Sequence, residues 1–123
     1  MKVYLASRYK YKEKLLMLAH ELMIRNYKIT SSWLKTKSLK PYDQNIKESR
    51  NMAKKIERDV SQSDIFILIS DRAGTDMFVE LGIAIALNNK IYVVGKYNKR
   101  SLMHLHPKIK HVNDVDELLK IIK

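Results

Sequence analysis

Glu80 is the side chain best placed by its surroundings to do chemistry. It is the one ionisable residue in the run Val79-Glu80-Leu81-Gly82-Ile83-Ala84-Ile85-Ala86-Leu87, which is apolar on every side of a helix, so whichever face is buried lies close to this carboxylate. A carboxylate next to apolar surroundings can be tuned as a nucleophile, an acid or a base. A second reading gives Glu80 no chemistry: a glutamate in the first turns of a helix complements the positive end of the helix dipole. Asp59 is the next candidate, because Met52, Ile56, Asp59 and Ser63 follow one helical row beside an apolar stripe while Glu57 and Arg58 point away. Against it stands an ordinary surface aspartate paired with a lysine. Asp64 opens a strand, and Asp71 and Asp76 suit the capping of the helix that follows, although Asp71 also lies at the end of a strand where ligands bind.

The elements that must hold these acids alternate. Lys2 to Ala6 reads as a strand and Lys12 to Arg25 as a helix, with Leu15, Leu18, Ala19, Leu22 and Met23 at helical spacing and Asn26 as its stop. Lys28 to Trp33 alternates as a second strand, Thr36 to Asp43 is a loop around Pro41, and Gln44 to Gln62 is the second helix. The unbroken run Ile65-Phe66-Ile67-Leu68-Ile69 within Asp64 to Ser70 is what a strand covered on both faces requires, so it is the expected centre of the sheet. Asp71 to Thr75 then forms a loop, Asp76 to Leu87 an apolar helix ended by Asn88-Asn89, and Lys90 to Gly95 a fourth strand. Beyond the polar stretch Lys96 to Pro107, Ile109 to Val112 reads as an edge strand and Asp114 to Ile122 as a final helix capped by Asn113 or Asp114. This alternation implies an α/β three-layer sandwich of Rossmann-like or flavodoxin-like type, with a mainly parallel sheet of four to five strands. Ligands of such sheets bind beyond the carboxyl ends of the strands, which directs attention to Ser7 to Tyr11, Trp33 to Lys37, Asp71 to Thr75 and the chain from Lys96 onward.

Composition narrows the classes. At 123 residues the chain forms a single domain over 1–123, and without cysteine it has no disulfide, thiolate metal site or thiol nucleophile. No apolar run is long enough to span a membrane and the first residues turn polar too early for a signal peptide, so the expected location is the cytoplasm. A net charge of +11 favours anionic partners such as nucleotides. The lysines are nevertheless dispersed, which fits a solvated surface better than a nucleic-acid face. Three glycines, Gly74, Gly82 and Gly95, cannot form a dinucleotide or Walker-type loop. His104, His106 and His111 lie close together without an acidic partner at ligand spacing, so a solvated loop is expected there and no metal site.

In order along the chain, Val3-Tyr4-Leu5-Ala6-Ser7-Arg8, Thr30-Ser31-Ser32-Trp33-Leu34, Glu57-Arg58-Asp59 before Ser63-Asp64, and Gly74-Thr75 followed by Val79-Glu80-Leu81-Gly82 resemble the nucleoside 2-deoxyribosyltransferase superfamily, which includes 2-deoxynucleoside 5′-monophosphate N-glycosidases. The resemblance implies that Glu80 is the catalytic nucleophile, Asp59 the carboxylate acting near the base, and Tyr4 the tyrosine that orients Glu80. The residue types suit the reaction. Cleaving an N-glycosidic bond passes through an oxocarbenium-like state, which one carboxylate can stabilise and then trap covalently while another protonates the departing base. Tyr4 by itself also reads as strand packing. Ser7 and Arg8 are expected to bind a sugar hydroxyl or a 5′-phosphate, Gly74 to allow close approach of the backbone, and Thr75 to add a hydroxyl. Trp33 offers a stacking surface or plain packing. Ser101 or Asn98 corresponds to the polar residue that reaches a neighbouring subunit's site, so a homodimer or larger homo-oligomer is implied. The leading expectation is transfer of a 2-deoxyribosyl group between bases on a small-molecule nucleoside or nucleotide, without metal or organic cofactor. Hydrolysis of a deoxynucleoside 5′-monophosphate is the alternative, and a noncatalytic binding module is a third reading.

Overall fold

The computed structural model describes residues 1–122. The apolar run Ile65–Ile69 forms β3 and is buried at every position. Such burial requires cover on both faces and a neighbour on both edges. Both are present: five strands, β1 (Lys2–Ala6), β2 (Lys28–Ile29), β3, β4 (Lys90–Val94) and β5 (Ile109–Val112), lie in the order β2-β1-β3-β4-β5. Every pairing is parallel. The helices are α1 (Lys12–Ile24), α2 (Ile46–Ser61), α3 (Asp76–Ala86) and α4 (Val115–Ile121). On one face α2 packs beside α3. On the other, Arg25 just past α1 donates to the Leu119 carbonyl of α4 at 2.7 Å. The result is the three-layer α/β sandwich expected from the alternation, of Rossmann-like type with all five strands parallel.

Local signals explain the element ends. Asn26 and Asn88 follow α1 and α3 with φ of 71° and 61°, the left-handed stop for which asparagine is suited. Asp114 caps α4 by accepting from the Glu117 backbone N–H at 2.8 Å, and Glu117 accepts in return from the Asn113 N–H at 2.9 Å. Among the described residues no helix is long and apolar enough to cross a membrane.

Two stretches depart from the expected elements. The strand read from Lys28 to Trp33 pairs only over Lys28–Ile29. Beyond it the Ser31 hydroxyl accepts from the Leu5 N–H at 2.5 Å, in place of a backbone carbonyl, and Ser32–Lys35 coils into a 3-10 turn. A serine side chain has here outcompeted the sheet ladder. The helix read from Gln44 starts at Ile46, after a separate 3-10 turn over Tyr42–Gln44, because the Asn45 side chain is spent on the carbonyls of Leu39 and Pro41 at 3.0 and 3.2 Å. Residues 36–45 thus form a compact strap at the carboxyl edge of the sheet. The Lys12 ammonium ties it to α1 through the Thr36 carbonyl at 2.6 Å.

Candidate active site

The chain leaves β1 for β2 on one side and returns to β3 on the other, so the strand order reverses between β1 and β3. A crevice opens at such a point, beyond the carboxyl ends of the strands. It is a cavity of about 570 Å³, with Ser7 and Arg8 after β1, Trp33 after β2, Gly74 and Thr75 after β3, and Glu80 of α3 around it.

Glu80 is only 8% exposed. Tyr4, wholly buried in β1, donates its hydroxyl to Glu80 Oε1 at 2.6 Å. The Tyr4 ring is fixed in turn by parallel stacking on Phe66 of β3, with centroids 5.6 Å apart. Burial penalises the charged carboxylate and raises the Glu80 pKa from 4.5 to about 7; the Tyr4 hydrogen bond opposes the rise and the neighbouring Asp76 adds to it. Burial, then the charge of Glu80 and the hydrogen bond to it, push the Tyr4 phenol well above its ordinary range, so it remains a donor. Glu80 therefore stands near its ionisation midpoint at neutral pH, with one oxygen held by Tyr4. A carboxylate so held can act as a nucleophile toward an electrophilic carbon in the cavity.

Arg8 follows β1 and pairs with Asp71 at 2.9 Å. The hydrogen bond from Arg8 holds the Asp71 carboxyl below its usual range. Gly74 makes this corner possible. Its φ is +114°, and a Cβ built there would stand 2.8 Å from Met77 Cε and 3.0 Å from Arg8 Cγ, so a side chain would be strained and would displace the arginine. Asp71 itself lies behind Arg8 and not on the cavity; it positions the cation. Neither Asp71 nor Asp76 caps α3, since Thr75 is the N-cap residue and no side chain bonds the first turn.

Other predicted residues fall elsewhere. Asp59 is buried, but its Oδ2 accepts from the Ser32 N–H at 3.1 Å and from the Ser32 hydroxyl, and it is absent from the cavity wall. Through Oδ2 it braces the Ser32–Lys35 turn that carries Trp33, and its charge also reaches the Tyr4 phenol beside Glu80. Trp33 is 9% exposed and donates its indole N–H to the Leu5 carbonyl at 2.9 Å, so packing accounts for most of the ring and only an edge meets the cavity. Ser101 and Asn98, expected to serve a neighbouring subunit's site, are not on the wall of this chain's own cavity: Ser101 bonds His104 Nδ1 at 2.6 Å, and the Asn98 amide donates to the Val112 carbonyl at 3.0 Å. The solvated histidine loop is also corrected. His104 is wholly buried, with Nε2 2.9 Å from the Ser70 hydroxyl, and the His104 carbonyl lies 2.7 Å from His111 Nε2. Among the described residues no three His, Asp or Glu side chains gather in a way that could hold a metal ion.

The segments Ser7 to Tyr11 and Trp33 to Lys37, to which the sequence directs attention, include Lys10 and Lys37, but sequence reasoning missed Lys40, Tyr42 and Asp76 at the site. Lys37, Lys40 and Tyr42 line the cavity, as do Lys10 after β1 and Asp76 of α3. The spacing of Lys37, Lys40 and Tyr42 around Pro41 was the available signal, but nothing local says which way a loop folds.

No protein-family model matches the chain, and no curated protein does. Its fold is matched by the structure of Clostridium botulinum CMP N-glycosidase, BcmB, with a TM-score of 0.65 over 98% of this chain and 96% of that one, at 20% identity. The chain has the fold of an N-glycosidase.

Proposed function

We propose that this protein cleaves the N-glycosidic bond of a nucleoside or 2-deoxynucleoside 5′-monophosphate, with Glu80 as nucleophile and water as the final acceptor. The observation that carries this reading is a single buried carboxylate, oriented by Tyr4 at 2.6 Å, in a cavity whose wall includes the cations Arg8, Lys10, Lys37 and Lys40. The carboxylate suits attack on an anomeric carbon, and four cations suit a phosphate. That the fold is shared with a CMP N-glycosidase fits the same substrate class.

In the first step a Glu80 oxygen bonds to C1′ as the C1′–N bond breaks. The electron pair of that bond goes to the base, which takes a proton from water at the open mouth. In the second step water attacks C1′, its proton returns to solvent, and Glu80 leaves as a carboxylate with free sugar phosphate as product. Tyr4 holds the nucleophile in line through both steps. The cations favour a phosphorylated substrate, and hydrolysis is accordingly preferred here to the base transfer expected from sequence.

Incubating the protein with CMP and with dCMP, with and without a second base, tests this. Free base and sugar phosphate are expected, with a sugar-phosphate adduct on Glu80 by intact mass and no turnover by Glu80→Ala. Base exchange would assign transfer instead. Absence of base release from every nucleotide, or full activity in Glu80→Ala, would refute the proposal.

A further inference from the structure

Asp76 is a second carboxylate on the cavity, and neither helix capping nor an ion pair accounts for it. It begins α3 without capping it, and it forms no ion pair among the described residues. It is exposed, and it lines the cavity together with Glu80. The two acids are four positions apart on one helix, the spacing that puts side chains one above the other on the same face. Tyr42 of the strap lines the same cavity, and burial, then the charge of Asp76 and a hydrogen bond to it, raise the pKa of its phenol.

The chemistry of displacement says which part of a substrate meets this second acid. A nucleophile that expels a base from C1′ approaches from the sugar face opposite that base. In a β-nucleoside the hydroxyls of C2′ and C3′ project from that same face. Whatever accompanies Glu80 on its side of the helix therefore lies under the hydroxylated face of the sugar, away from the base. C2′ adjoins C1′, which brings its hydroxyl within reach of Glu80 itself. C3′ lies one carbon farther on, so its hydroxyl is the one left for an acid displaced along the helix by one turn, a rise of about 5.4 Å. A carboxylate has two oxygens and several lone pairs, so one that meets a phenol can still accept a hydrogen bond from a sugar hydroxyl.

Resting on the reading of Glu80 as nucleophile, we propose that Asp76 accepts a hydrogen bond from the 3′-hydroxyl of the bound sugar and makes that hydroxyl a requirement for recognition. Tyr42 steadies the carboxylate from the strap. The role concerns the sugar alone, so base identity is read elsewhere.

The test uses Glu80→Gln as parent, so that substrate survives the measurement, and calorimetric titration with a 2′-deoxynucleoside 5′-monophosphate and its 2′,3′-dideoxy counterpart. A charge-assisted hydrogen bond corresponds to about tenfold to a hundredfold in affinity, so the parent is expected to bind the 3′-hydroxylated nucleotide at least about tenfold more tightly. In the double variant with Asp76→Ala the ratio falls close to one, and with Asp76→Asn, which keeps one carbonyl acceptor, it is intermediate. A ratio near one in the parent, an undiminished ratio in Asp76→Ala, or no binding of either nucleotide would overturn the assignment. Turnover by the wild-type protein reports on the nucleophile separately: loss of that reading with the ratio intact leaves Asp76 as a sugar-binding residue.

Discussion

Replacing Tyr4 by phenylalanine isolates the bond that the proposed mechanism depends on. The ring that stacks on Phe66 at 5.6 Å is retained and only the hydroxyl that donates to Glu80 at 2.6 Å is lost. That bond opposes the burial that raises the Glu80 pKa to about 7. A hydrogen bond to a charged group contributes about 1.5–3 kcal/mol, and each pH unit of displacement corresponds to about 1.4 kcal/mol. The pH–rate midpoint of Tyr4→Phe should therefore move upward by roughly one to two pH units. The sign follows from the active form: the nucleophile is the carboxylate, so activity rises with pH through the midpoint, and a higher midpoint means less active enzyme at neutrality. At pH 7 kcat/KM for base release is expected to fall by roughly tenfold, with substantial recovery toward alkaline pH. The assay is a kcat/KM profile for both proteins, alongside a carbon NMR titration of the Glu80 carboxyl that needs no substrate. A loss of rate with an unmoved midpoint would mean that Tyr4 acts through orientation alone, and an unchanged NMR titration would refute the electrostatic reasoning.

Four further outcomes follow. Glu80 titrates at about 7 when folded and near 4.5 otherwise, so the folded state holds the extra proton and stability declines as pH rises from the lower value to the higher; urea titrations should show Glu80→Gln gaining on wild type by roughly 3 kcal/mol across that interval and by little above it. Arg8→Ala removes both the partner of Asp71 and a cavity cation; KM should rise about tenfold or more for a 5′-monophosphate with little change for the unphosphorylated nucleoside, and a parallel rise for both would exclude Arg8 as a phosphate ligand. Gly74→Ala combines a disfavoured φ with contacts of 2.8 and 3.0 Å to Met77 and Arg8; thermal unfolding should register a loss of about 1–3 kcal/mol, and an unaltered melting temperature would contradict the strained-loop account. His104→Ala opens a wholly buried site and leaves the buried Ser70 hydroxyl, and the exposed Ser101, without their ring partner, and a destabilisation of about 2–4 kcal/mol in urea is expected even though His104 is not on the cavity wall.

Much of the framework was legible because it rests on local signals. A strand apolar at five consecutive positions belongs at the centre of a covered sheet, and Ile65–Ile69 is there. Asparagine tolerates a left-handed backbone, and Asn26 and Asn88 end their helices in it. Glu80 was visible because one charge in an apolar helix is a solvation problem whatever the fold, and a buried partner had to exist; the family resemblance pointed to Tyr4 as that partner.

What only the tertiary structure decided concerns groups whose neighbours come from distant parts of the chain. Helical periodicity put Asp59 beside the apolar stripe, but whether its oxygens face a ligand or Ser32 depends on how the turn after β2 sits over α2. His104 has no local apolar pattern that would mark it as buried, and it is covered because Phe78 and Ser70 arrive from α3 and the end of β3. The strap's lysines and Tyr42, together with Asp76, belong to the cavity only because a loop folds back across the sheet edge. Periodicity encodes which face of an element is buried; the direction of an irregular loop is set by its contacts after the sheet has formed, and those pairings leave no trace in the spacing of residues.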